Sequence, residues 1–251
     1  MTKGKPSLTS PESKELYRAT ALSKAEIQGV GNVTGMLNYL GKPWAYVGNI
    51  AIKSHVNPKY RRHVDMSQDV DVIVFGPYDD NDIERLLSGY ENVDIEDARL
   101  IDRDKTRFMD IPKNTLRYSP FHTIHVTTNG TTTDLFTYVT GVGPIPVNKE
   151  DAESVERFND LPVMNVGYLL ATNLNPKAIT QERMTRAAYM LKSKDYTVGD
   201  AIVFMRKLKE ALEEETISQK DLRRTFNFLR NSPHHNIFRD KHIIGTIKMV
   251  L

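Results

Sequence analysis

The chain has 251 residues, 39% of them apolar and 26% charged, the balance of a globular protein with a sizeable core. With 34 Lys and Arg against 32 Asp and Glu, the net charge of +2 does not by itself point to a polyanionic partner. The lack of cysteine excludes disulfides, thiol nucleophiles and thiolate metal sites. No stretch reaches the roughly 18 apolar residues of a membrane span. The opening "MTKGKPSLTSPESKELYRAT" has no apolar core of the signal-peptide kind, so a cytoplasmic location is expected. The charge is uneven. From Lys177 onward 15 cations face nine carboxylates, a surplus of +6, which leaves −4 on residues 1–176. A basic rear half of this kind is either solvated helix surface or a face for a polyanion.

Residues 1–14, rich in Pro, Ser and Lys, are predicted to form a loose arm. Residues 15–40 carry apolar residues at helical spacing, with Gly41 as the stop. "WAYVGNIAI" predicts a short strand running into a glycine turn. A helix over 50–56 then ends before Pro58. "DVDVIVFG" predicts an interior strand. Val70, Val72 and Val74 face one way, Asp69, Asp71, Ile73 and Phe75 the other, and both faces become apolar. "DDNDIERLLSGY" predicts a short helix capped by Asp80 or Asn81. Residues 91–118 allow short strands or loops.

The strongest turn signal is "HTIHVTT-NG-TTTDLFTYV". Asn-Gly between two runs of β-branched residues predicts a hairpin in which Thr128 pairs with Thr131 and His125 lies opposite Asp134. Pro144 and Pro146 mark a boundary, after which the pattern reads as helical. "DYTVGDAIVFMRKLKEALEEE" puts Val198, Ile202, Met205, Leu208 and Leu212 on one face. "SQKDLRRTFNFLRN" opens with a capping box of Ser218 and Asp221 and carries a stripe of Leu222, Phe226 and Leu229. The expected organisation is an arm (1–14), an α/β domain (15–145) and a helical C-terminal domain (146–251).

Asp69 and Asp71 share one face at the head of a strand that enters the core. Carboxylates that close stay ionised at high cost unless a cation meets them. Mg²⁺, or Mn²⁺, takes oxygen ligands and is commonly shared between carboxylates and substrate phosphates. Asp134, from a later strand, supplies a third carboxylate for a two-metal site. Gly48 and Asn49, at a turn that leads into a helix, offer backbone N–H groups to a triphosphate. Lys53, Arg61 and Arg62 stand nearby as cations for phosphate.

The order of strand, Gly48-Asn49, Asp69-Val70-Asp71 on an apolar strand, and Asp134 resembles the nucleotidyltransferase fold of the DNA polymerase β superfamily. Within it, the chain is most similar to the minimal nucleotidyltransferases and the AbiEii-like toxins of toxin–antitoxin systems. A Lys/Arg-rich stretch of those toxin-like proteins is matched by Lys192, Lys194, Asp195 and Asp200. The resemblance spans roughly residues 30–210 as spaced motifs.

The resemblance implies a mixed sheet with flanking helices, followed by helices. It implies an NTP substrate, Mg²⁺ or Mn²⁺ on Asp69, Asp71 and Asp134, and nucleotide contacts from Gly48, Asn49, Lys53, Arg61, Arg62, Lys192 and Lys194. The acceptor stays open between an RNA or tRNA end, a protein hydroxyl and a small molecule, and a cognate antitoxin is an implied partner. One departure is Asn49, where the family usually has Ser or Gly.

Each residue also has a bland reading. Asp69 and Asp71 are then a hydrated strand end, Asp134 a salt-bridge partner, and Gly48 a turn that needs positive φ without a ligand. Arg61 and Arg62 become solvated loop charges, and Lys192 and Lys194 complement a helix dipole. The alternative function is a catalytically inactive binding module for a protein or RNA partner. A zinc-dependent hydrolase built on His234, His235 and His242 is a third reading, against which adjacent histidines point in different directions.

Overall fold

The computed structural model describes residues 24–64, 69–76, 93–94, 99–102, 107–110, 124–128, 131–136, 142–177 and 179–251. The expected N-terminal arm, the helix over 79–90 and the turn residues Asn129 and Gly130 lie outside them. Helix α1 (Lys24–Leu40) is followed by β1 (Trp44–Tyr46), α2 (Gly48–His55), a 3-10 turn (Pro58–His63) and β2 (Asp69–Val74). Strands β3 (Val93–Asp94), β4 (Arg99–Asp102), β5 (Arg107–Asp110), β6 (Ile124–Thr128) and β7 (Thr131–Phe136) come next. A second 3-10 turn (Lys149–Ser154) leads into β8 (Val155–Phe158) and β9 (Leu161–Met164). The remainder is helical: α3 (Val166–Asn173), α4 (Gln181–Ser193), α5 (Val198–Glu213), α6 (Gln219–Arg230), α7 (His235–Asp240) and α8 (Ile243–Val250).

Seven strands form one mixed sheet in the order β3-β6-β7-β2-β1-β9-β8, and β4 pairs with β5 separately. The pairs β2–β7 and β1–β9 are parallel, and the other pairs in the sheet are antiparallel. The fold is the expected mixed α/β sheet with flanking helices, followed by helices. The hairpin has the expected register, with Thr128 opposite Thr131 and His125 opposite Asp134. β2 lies between β7 and β1, which is why Val70, Val72, Ile73 and Val74 are all buried and the strand reads as a continuous apolar run.

Ile27, Val30, Val33, Leu37 and Leu40 form the buried stripe of α1, at the spacing of one helix face. The buried Tyr46 hydroxyl fastens α1 to β1. It lies 2.7 Å from Thr34 Oγ1 and donates to the Val30 carbonyl at 3.1 Å.

Three expectations change. The helix read over 50–56 begins at Gly48, because the glycine turn is itself the first helical residue. The chain after Pro146 first forms the β8–β9 hairpin, and β9 extends the sheet beside β1, so the sheet runs past the boundary expected at 145. The sequence signal there is poor, since Pro162 sits within β9 and β8 is only half-buried. The third change is the face of α5. Val198 is 77% exposed and Ile202 55%, whereas Asp200, Phe204, Lys207, Leu208 and Ala211 are buried.

The reason is electrostatic as well as apolar. Lys207 Nζ lies 2.7 Å from Asp151 Oδ2 and Arg206 Nη2 lies 2.7 Å from Asp151 Oδ1, with Asp151 and Lys207 fully buried. A lysine counted as polar in the sequence therefore belongs to the core face. The same face carries the closest helix crossing. A Cβ on Gly167 of α3 would stand 2.1 Å from the Asp200 carbonyl oxygen of α5. Asp200 caps its own helix with Thr197 and accepts from the Gly167 N–H at 3.3 Å.

Candidate active site

β1 pairs along β2 up to Tyr46 opposite Val72, and the Val47 N–H then donates to the Asp71 carbonyl at 2.9 Å. The next residue, Gly48, turns with φ +61 into α2. A Cβ there would lie 1.9 Å from Asp71 Oδ2, inside the carboxylate. Only glycine permits that approach, and the backbone conformation also favours it. Val47 provides no side-chain cap to the first turn of α2.

β2 and β7 are parallel and in register, with Asp71 paired to Asp134 and Asp69 to Thr132. Asp71 and Asp134 are half-buried and line a cleft of about 450 Å³ together with Gly48 and Asn49. Asn49 is only 8% exposed, and its Oδ1 has no hydrogen-bond partner among the described residues. Phe136, Val142 and Pro144 supply an apolar wall. The C-terminal end of α3 contributes Thr172 and Asn173, and α4 contributes Arg183 and Arg186. Arg186 also pairs with Glu182 one turn earlier.

The expected site residues divide into three groups. Gly48, Asn49, Asp71 and Asp134 come together in the cleft. Asp69 opens β2, and Arg61 and Arg62 lie in the 3-10 turn, but the side chains of all three are outside the described ones. Lys53, Lys192 and Lys194 stand outside the cleft lining.

Lys53 is buried within α2 at 1% exposure. Lys192 is exposed, with its ammonium 5.2 Å from the centre of the Tyr189 ring. Lys194 pairs with Glu156 and lies 3.3 Å from His55 Nδ1. His55 ends α2, so Lys194 is roughly 11 Å of helix away from the Gly48 end. Burial and the Lys194 ammonium hold the His55 imidazole below its usual pKa, so it is neutral at pH 7.

Among the described residues the cations that line the cleft are Arg183 and Arg186, about two turns earlier on the same helix as Lys192. Their i, i+3 spacing behind the Thr180 cap was the available signal. It was weak, because nothing local tells which turn of α4 lies over the strand ends.

Among the described residues no group of three or more His, Asp or Glu side chains is arranged to hold a metal. The pair Asp71 and Asp134, with the buried Asn49 oxygen beside them, is nonetheless an all-oxygen donor set. Its chemistry fits a hard divalent cation and not a thiophilic one. The C-terminal histidines gather no such set. His234 instead lies 3.2 Å from Thr185 Oγ1.

No protein-family model matches the chain, and no curated protein matches it. Three solved structures are similar at low identity. JHP933 from Helicobacter pylori is 9% identical with a TM-score of 0.42, over 91% of this chain and 93% of that one. A second H. pylori protein, provisionally named a nucleotidyltransferase, is 12% identical with a TM-score of 0.37, over 91% of this chain and 96% of that one. The Megavirus polyadenylate synthase is 12% identical with a TM-score of 0.38, over 92% of this chain and 57% of that one. Among the described residues no helix is long and apolar enough to cross a membrane.

Proposed function

We propose that the chain is a metal-dependent nucleotidyltransferase that moves a nucleoside monophosphate from an NTP to an acceptor hydroxyl. The carrying observation is the contact of Gly48 with Asp71. A helix N-terminus is set against a carboxylate so closely that no side chain fits between them. A bare turn does not need that proximity. A site that holds a triphosphate beside the cation that neutralises it does.

In this reading the first-turn N–H groups of α2 bind the β- and γ-phosphate oxygens, and Arg183 and Arg186 add positive charge from the opposite wall. Phe136, Val142 and Pro144 receive the apolar faces of base or ribose. The acceptor oxygen attacks the α-phosphorus, the bond to the bridging oxygen breaks, and pyrophosphate leaves. Asp134 takes the proton of the acceptor hydroxyl. Asp69, Asp71 and Asp134 would hold Mg²⁺ or Mn²⁺, which when bound supplies charge neutralisation at the phosphates and acidifies the acceptor oxygen. Most of the rate then comes from positioning and preorganised charge.

Placement in a toxin–antitoxin pair rests on the sequence resemblance, and Lys192 and Lys194, which carry part of it, lie away from the cleft. The inactive binding-module reading keeps one supporting feature, Asn49, whose bulk stands in the cradle.

The test is incubation with each NTP labelled at the α-phosphate, with Mg²⁺ and either total RNA or the protein alone. Label on an acceptor, absent in Asp71→Asn with Asp134→Asn, supports transfer and identifies nucleotide and acceptor class together. No label and no metal-dependent NTP binding would leave the binding module.

A further inference from the structure

Helix α6 presents one face that neither the core nor the cleft uses. Lys220, Arg223, Arg224, Asn227, Phe228 and Asn231 are all exposed. They recur at i, i+3, i+4, i+7, i+8 and i+11, which places them within an arc of roughly 140° on the helix. The opposite face, Leu222, Thr225 and Leu229, is buried against the rest of the protein. The exposed residues line a shallow depression of about 740 Å³. Phe228 is 39% exposed and stands at one edge of this arc, one turn after Arg224.

The helix carries four Lys and Arg against one carboxylate, Asp221. Asp221 is engaged in the cap, where it accepts from the Ser218 N–H at 2.9 Å and the Ser218 hydroxyl at 2.7 Å, and these bonds hold its pKa below the usual carboxylate range. Asp221 lines the depression together with the cations, and the acidic run Glu213–Glu215 lies before α6 in the chain.

We propose that this face of α6 binds a single-stranded RNA. The argument is chemical. Arg223, Arg224 and Lys220 supply cations for a phosphate backbone, Phe228 supplies a ring on which an unpaired base stacks, and Asn227 and Asn231 supply amides that read base edges. A solvated face needs the charges but not an exposed ring at their edge. An acidic protein surface would use the cations and ring but leave two amides without a defined task. The binding surface stands on its own geometry. Its role as the place where an acceptor strand is held rests on the nucleotidyl-transfer reading above.

The experiment is fluorescence anisotropy of a labelled oligoribonucleotide of about 15 nucleotides, within the footprint of single-strand sites, across a salt series. Arg223→Glu with Arg224→Glu is expected to weaken binding at least about tenfold and to flatten the dependence of log K on log salt by roughly 1.4, two phosphates' worth. Phe228→Ala is expected to weaken it by about fivefold or more while Phe228→Trp retains it, as stacking requires. All three side chains are exposed, and an unchanged circular dichroism melt verifies that the variants fold. Wild-type affinity and salt slope in the charge-reversed variant would overturn the proposal. So would an intact chain that binds poly-glutamate but not the oligonucleotide, which would assign the face to an acidic protein.

Asp71→Asn separates the two readings. It should lose transfer and keep oligonucleotide binding, whereas the α6 variants should keep metal-dependent NTP binding. If no transfer is ever found but binding still depends on α6, the RNA surface survives and only its role as acceptor site falls.

Discussion

Asp151 and Asp71 are both carboxylates set into the protein's interior architecture, and their surroundings differ in one respect. Asp151 is fully buried, and the chain saturates it with Lys207, Arg206 and the Asn148 N–H. Asp71 is half-buried beside Asp134 and faces a cleft that solvent and ligands can enter. The first arrangement locks the segment after Pro146 onto α5. The second sets two carboxylates side by side in the wall of a cleft, where a bound cation would favour both. A carboxylate closed by its own chain serves the fold, whereas in the proposed reading one that lines a cleft beside a glycine turn serves a reaction.

This contrast can be broken by experiment, and the largest effect should come from Asp71→Asn. Transfer should fall by at least about 10³-fold, roughly 4 kcal/mol of transition-state stabilisation. Thermal stability should fall by far less, because Asn keeps the size of the side chain. A drop in stability as large as the drop in activity would place Asp71 with the structural carboxylates.

Lys207→Met is the converse. It should cost about 3 kcal/mol in denaturant unfolding, since Asp151 would keep only the half-buried Arg206 and the Asn148 N–H. Activity per folded molecule should remain near wild type. Gly48→Ala joins both columns. Strain at positive φ should cost about 2 kcal/mol, and the added Cβ should push the Asp71 carboxylate aside, so NTP binding and transfer should disappear at temperatures where the variant is still folded.

The His55 end of α2 supplies a pH test. His55 is buried neutral with a lowered pKa, so the unfolded chain binds its proton first. Stability should therefore be intact above the unfolded value of about 6.5 and decline as pH falls below it, by up to ~1.4 kcal/mol per pH unit from this group. Lys194, Glu156 and Asp200 act on the same imidazole. His55→Gln keeps a donor for the Met164 carbonyl and should flatten that part of the curve. The smallest effect is expected from Ser218→Ala, which removes the α6 cap and should cost about 1 kcal/mol without altering the cleft.

Local rules made some of this legible in the sequence. Asn-Gly between β-branched runs determined the hairpin register, and register alone put His125 opposite Asp134. The run "VIVF" determined an interior strand, because a strand buried on both faces cannot alternate. Gly48 and the D-x-D pair were readable as a candidate site because glycine at a strand-to-helix turn and paired carboxylates on one strand face each have few physical uses. Residues separated far along the chain were another matter.

That Asp71 and Asp134 sit side by side depends on β2 and β7 pairing in parallel. That a Cβ at Gly48 would strike Asp71 depends on where β1 ends against β2. Lys207 reads as surface until Asp151, 56 residues earlier, makes it core. Arg183 and Arg186 enter the cleft instead of Lys192 and Lys194 because the packing of α4 against α3, not its sequence, selects the turn that lies over the strand ends. Short-range sterics and periodicity are written in the order of residues, whereas the neighbours of a charge are decided only when distant segments meet, since Coulomb energies and desolvation depend on distance in space and not along the chain.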